Sequence, residues 1–281
     1  MGVLRAERIS AAGRRGSSRP LVVETAAGAR VVKLRGAAQG TGALVAEVIV
    51  AELAEAIGLA VPPRSLVELP ATIETADWDD ELADLLAASV GLNLGFDFLQ
   101  GAREFVPSDV VRVVPEIRAA ILWLDWLVLN PDRTARNPNL LWWADQLWLI
   151  DHGATLGFQY DWRRVLEQSP REARLPPEAH LFESVVSPDE LRSADEALAS
   201  RLTRDVVHAA VAAVPECFLL PLVDTATALP AEIASRIARR RAAYAAFLWK
   251  RLQPSRPFLE ARELPAERLR PTRPPWLTER R

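Results

Sequence analysis

The sequence predicts an α+β fold in which a small β-rich amino-terminal part precedes a larger, mostly helical part. Three observations predict it. PLVVETAAGARVVKL (20–34) alternates apolar and polar residues on both sides of a small-residue turn, the signature of half-buried strands. From about residue 107 the apolar spacing becomes helical and recurs to residue 252. One segment interrupts that helical part: NPDRTARNPNLLWWADQLWLIDHG (130–153), where charges and amides crowd against an apolar strand pair.

AAGRRGSSRP (11–20) is a small, polar, glycine-containing lead-in to the first strand, and Gly28 supplies the turn of the first hairpin. RGAAQGTG (35–42) reads as a loop. A helix over 43–57 follows, with Leu44, Val48 and Ala51 at helical spacing and Gly58 ending it. LAVPPRSLVELP (59–70) is extended, punctuated by Pro62 and Pro63. DWDDELADLLAAS (77–89) reads as a short acidic helix and GLNLGFDFL (91–99) as a strand or loop. Pro115 opens the main helix at its first turn. After the charged loop comes the strand pair LLWWADQLWLI (140–150), turning at Ala144–Asp145. Helices over 188–213 and 229–252 complete the helical part. The expected organisation is therefore 1–105, 106–255, and a Pro/Arg-rich tail over 256–281.

With 281 residues and a net charge of −3, the chain can bury a sizeable core and offers no electrostatic reason for a nucleic-acid partner. Cys217 stands alone, which excludes an internal disulfide and a cysteine-based zinc cluster. His152, His180 and His208 show no metal-ligand spacing. The amino terminus has no apolar signal region, and the longest apolar run, near 119–129, is broken by Asp125 and too short to span a bilayer. These features point to a cytoplasmic enzyme or binding protein with no membrane partner.

Asp132 and Asn137 stand five positions apart, and Asp151 lies fourteen further on. An acid–amide–acid series around a short hairpin suits phosphoryl transfer: the first acid orients or deprotonates the acceptor hydroxyl, while the amide and second acid hold Mg2+ against the ATP phosphates. Lys33, at the end of its strand, is a candidate for the nucleotide phosphates, with Glu47 on the next helix as its partner. Gly13, Gly16, Ser17 and Ser18 lie where a phosphate-covering loop belongs. Each residue also has a plainer reading. Lys33 and Glu47 fit solvated surfaces, and Asp132 and Asn137 fit turns. Asp151 fits least well, because an acid ending a buried strand needs a partner. Arg133 and Arg136 either bind phosphate or pair with nearby acids. Asp125 reads as a buried helix-to-loop contact, and His152 as loop support.

Lys33, AEVIVAELAEAIGLAVP around Glu47, DRTARNPNLL from Asp132, and LIDHG around Asp151 together resemble the HipA-like kinases, in element order over roughly residues 10–250. The resemblance implies a two-lobe protein-kinase-like fold, more distantly similar to phosphoinositide kinases. It also implies Lys33 and Glu47 at the nucleotide, Asp132 as catalytic acid/base, and Asn137 and Asp151 as metal ligands. NPDRT stands where the toxin kinases of the family carry N-x-D-x-H, and the chain is most similar to the short, stand-alone branch. ATP, Mg2+, a protein serine or threonine acceptor and an antitoxin-like regulatory partner are the implied partners. A small-molecule phosphotransferase or an inactive nucleotide-binding module are the alternatives.

Overall fold

The computed structural model describes residues 1–12, 19–75, 79–172, 179–222 and 229–260. Its strands and helices, in chain order, are β1 (Val3–Arg5), β2 (Arg8–Ala12), β3 (Leu21–Glu24), β4 (Arg30–Lys33), α1 (Gly40–Ala56), β5 (Arg64–Leu69), β6 (Glu74–Thr75), α2 (Asp80–Ala88), β7 (Gly91–Asp97) and β8 (Arg103–Glu104). They continue with α3 (Pro115–Leu127), β9 (Leu140–Trp143), β10 (Gln146–Leu149), α4 (Pro188–Ala199), α5 (Arg204–Ala212), α6 (Glu216–Leu219), α7 (Pro230–Leu252) and α8 (Pro257–Glu260). A mixed amino-terminal sheet followed by helices is the predicted α+β class.

Seven strands form one sheet in the order β1-β5-β7-β4-β3-β2-β6, and β10-β9-β8 form a second. The expected hairpin is β3–β4, with Val22 opposite Val31 and Gly28 at φ +95°, a conformation open to glycine at no steric cost. β4 also pairs with β7, setting Lys33 opposite Leu94, so the lysine ends an interior strand and not an edge. Two strands, β1 and β2, precede the first strand that the sequence predicts. β1 is three residues with an exposed Val3, and β2 has one buried residue, Ile9, so neither carries a strong alternation.

Helix α1 begins at Gly40, earlier than the apolar spacing suggests, and residues 44–51 are buried without interruption. A helix apolar on every side must be buried on every side. Helices α5 and α6 pack against α1, and its buried residues share one core with Leu66, Leu94 and Phe96 of the sheet. Glu47 is the one ionisable residue between Gly40 and Ala51, so the register of α1 forces a carboxylate into the interior. Helix α3 repeats the pattern: Ala119–Leu127 are all buried, and Asp125 is the lone acid among them.

The stretch 188–213 is two helices and not one. Thr203 caps α5, its hydroxyl accepting from Val206 N–H, and a side-chain cap of this kind ends one helix and begins another. Arg201 at the corner donates to Ile57 O at 3.1 Å, tying it to the end of α1. Among the described residues no helix is long and apolar enough to cross a membrane.

Candidate functional site

The end of β4, the middle of α1 and the segment just beyond β10 meet at one point. Lys33 Nζ donates to Glu47 Oε1 and to Asp151 Oδ1. Glu47 is fully buried, Lys33 is 13% exposed and Asp151 37% exposed, so the cluster runs from the interior to the surface. Burial disfavours the Lys33 ammonium, but Glu47 and Asp151 outweigh it and raise its pKa. Burial also opposes ionisation of Glu47; the Lys33 charge and His152 overcome it and hold the carboxyl at about 2. Two carboxylates around one ammonium leave a net charge of −1 in a partly desolvated place, which favours a further cation.

His152 is fully buried. Its Nδ1 lies 3.4 Å from Glu47 Oε2, yet neither atom, nor His152 Nε2, makes a hydrogen bond among the described residues. The turn that follows is tight: Thr155 N–H and Oγ1 both donate to His152 O, at 3.0 and 2.7 Å. Gly153 lets this turn approach α1, since a Cβ there would stand 3.3 Å from both Ala43 Cβ and Glu47 Oε1. Asp151 itself is left-handed at φ +58°, a conformation that aspartate tolerates better than most residues.

The loop after α3 forms the second cluster. Asp132 Oδ2 accepts from Asn137 Nδ2 at 2.9 Å and from Asn139 Nδ2 at 3.1 Å. Asn137 is exposed and Asn139 is buried. Beneath them sits Asp125. Its Oδ1 accepts from Asn130 Nδ2 at 2.7 Å, and its Oδ2 is bonded by Arg133 Nε at 2.5 Å and His180 Nε2 at 2.8 Å. Burial works against the Asp125 charge, but Arg133 and His180 hold its pKa far below the usual carboxylate range. His180 Nδ1 accepts from Phe182 N–H, so Nε2 carries the proton given to Asp125. Arg133 Nη1 also donates to Asn139 O at 2.6 Å and Pro138 O at 3.1 Å.

The structure thus joins Lys33, Glu47 and Asp151 in one group, and Asp132 and Asn137 in another. No hydrogen bond joins Asn137 to Asp151; the two groups are linked through the backbone, where Ile150 N–H donates to Asn139 O at 3.1 Å. Gly13, Gly16, Ser17 and Ser18 lie outside the described residues. Arg133 pairs with Asp125, which settles its two readings, and Asp125 is the buried helix-to-loop contact it was expected to be. His180 and Asn139 are contributors that sequence reasoning missed: His180 lies 55 residues from its partner in a segment without periodicity, and Asn-Pro-Asn reads as a turn.

The donors suit a hard divalent cation, with a carboxylate at Asp151 and an amide oxygen at Asn137. Among the described residues no group of three or more His, Cys, Asp or Glu could hold a metal ion by itself.

Residues 7–216 match the model of a family described as HipA-like kinase. No curated protein sequence matches the chain. Among solved structures, the crystal structure of a Helicobacter pylori proinflammatory kinase, CtkA, superposes over 92% of this chain and 97% of its own, with a TM-score of 0.56 and 13% sequence identity. At that identity the likeness is one of fold.

Proposed function

The chain belongs to the HipA-like kinase family, and from that premise we propose that it transfers the γ-phosphate of ATP to a hydroxyl, with a protein serine or threonine as the acceptor. The observation that carries the reading is the Lys33–Glu47–Asp151 cluster, a buried ion pair opening onto a partly exposed acid, with Asp132 tied to it through Asn139 and Ile150. Glu47 orients Lys33 toward the phosphates. Asp132 orients the acceptor hydroxyl and receives its proton as the oxygen attacks phosphorus and the bond to the ADP oxygen breaks. Asp151 and the Asn137 amide oxygen would hold Mg2+, which supplies charge neutralisation at the phosphates.

The two acids should fail differently. Asp132→Asn retains ATP·Mg affinity while transfer falls by about three orders of magnitude or more. Asp151→Asn, which keeps the left-handed backbone accessible, loses the magnesium dependence of ATP binding as well as activity. Calorimetric titration with ATP, with and without magnesium, separates the two, and identical behaviour would overturn the assignment. Incubating the pure enzyme with ATP and a cell lysate, followed by mass spectrometry, tests the acceptor. Labelled protein serines or threonines support the reading. Labelling of sugars or other metabolites with no labelled protein would make the enzyme a small-molecule phosphotransferase.

A further inference from the structure

Asp132 is gripped on one oxygen only. Both amides, Asn137 and Asn139, donate to Oδ2, and among the described residues no hydrogen bond reaches Oδ1. A single donor restrains a carboxylate at a point and leaves it free to swing. Two donors on one oxygen restrain the rotation of the carboxylate more than one does. Oδ1 then keeps its lone pairs for a proton arriving from outside.

The two amides differ in how firmly they are held. Asn137 is exposed, and its amide oxygen is assigned above to a metal. Asn139 is buried at 8% exposure, and its backbone is locked from two sides: its carbonyl accepts from Arg133 Nη1 at 2.6 Å and from Ile150 N–H at 3.1 Å. Arg133 is in turn anchored to Asp125, which His180 also holds. One residue therefore holds the catalytic acid with its side chain, and with its backbone holds the strand end that leads to Asp151.

We propose that Asn139 is a positioning residue for phosphate transfer, which sets Asp132 Oδ1 as the oxygen that meets the acceptor hydroxyl and fixes that acid relative to Asp151. The inference rests on the kinase reading of Asp132. Its plain competitor is that Asn139 merely permits the turn, because its φ of +50° is one that asparagine tolerates well. Glycine tolerates the same φ without an amide, so Asn139→Gly separates the two roles. Asn139→Asp keeps size and backbone tolerance but turns an acceptor toward Asp132.

The experiment measures kcat, KM for ATP, calorimetric ATP·Mg affinity and thermal midpoint for the parent, Asp132→Asn, Asn139→Gly and Asn139→Asp. Asn139→Gly should lower kcat about 10- to 100-fold, the scale of a misplaced reacting group, with ATP affinity and thermal midpoint held. Asn139→Asp should lose at least as much, since two carboxylates then face each other. Parental kcat in Asn139→Gly would reduce Asn139 to a turn residue. A fall in kcat matched by falls in ATP affinity and thermal midpoint would reduce it to a structural one. If the parent transfers no phosphate to any acceptor, the kinase reading falls and this inference with it. If the parent is active and Asp132→Asn is not, parental kcat in Asn139→Gly overturns this inference alone.

Discussion

Two fully buried acids organise this molecule, and each stands beside one cation and one histidine. Asp125 on α3 meets Arg133 and His180; Glu47 on α1 meets Lys33 and His152. Both acids are the lone charge in a helix turn that is otherwise apolar. They differ in how completely they are satisfied. Both oxygens of Asp125 are hydrogen-bonded, His180 uses both ring nitrogens, and among the described residues only Arg133 Nη2 of this centre lacks a partner. Around Glu47 three buried polar atoms have none among the described residues, and the cluster carries surplus negative charge out to the partly exposed Asp151.

A closed polar network stabilises one arrangement, whereas an unfinished one leaves chemistry to do. The Asp125 centre is scaffold: it sets the loop that presents Asp132 and Asn137, and none of its own members is exposed. The Glu47 centre has the features of a working site, with a raised lysine, a depressed carboxylate and a reach to solvent. The difference in satisfaction distinguishes them where residue type does not.

The largest effect should come from breaking the closed centre. Arg133→Ala leaves Asp125 ionised and buried with one cation fewer, and removing one partner of a buried pair costs about 3–5 kcal/mol. It also frees the Asn139 carbonyl. Denaturant unfolding should show the loss in the absence of any nucleotide. A loss below about 1 kcal/mol would mean that the centre is no scaffold and that the contrast with Glu47 is misdrawn.

Acid titration probes the open centre. The Glu47 pKa is depressed from 4.5 to about 2, so its contribution is fully present above 4.5 and is lost as pH falls through about 2. Asp125 is depressed too and sheds stability on the same acid side. Glu47→Gln should therefore be less stable than the parent at neutral pH, with a gap that narrows on acidification. Urea midpoints at about pH 6, 4 and 3 check it. A gap that stays constant would show that Glu47 is not the ionised group.

Much of this was legible in the chain. Lys33, Glu47, Asp132, Asn137 and Asp151 could be picked out by type and order, and the structure joins the first two to Asp151 and sets Asn137 on Asp132. Asp125 announced its burial by standing alone in an apolar helix turn; Glu47 stands the same way in α1 and is as fully buried, although its plainer reading was a solvated surface. What could not be read was contact across sequence distance. His180 reaches Asp125 from a segment with no pattern, and nothing in Asn-Pro-Asn separates a turn from a side chain aimed at a carboxylate. The break at Thr203 was missed because α4 and α5 share a helical spacing and only the cap divides them. β1 was missed because a three-residue strand with an exposed Val3 carries no alternation to detect.

The smallest effect tests whether the two centres depend on the hairpin between them. β9 and β10 join the Asp132 loop to Asp151 through Ala144 and Asp145, both exposed and both left-handed, at φ +49° and +57°. A two-residue turn of that shape favours Asn-Gly, so this one carries a local cost. Asp145→Gly relieves it, offset in part by the greater freedom of glycine in the unfolded chain, for a gain of up to about 1 kcal/mol. If buried contacts hold the site, as Arg133 to Asn139 O and Ile150 N–H to Asn139 O imply, the thermal midpoint should rise while kcat and ATP affinity stay put. A changed kcat in this variant would mean that the turn sets the distance between Asp132 and Asp151, and that the scaffold beneath them does not determine it alone.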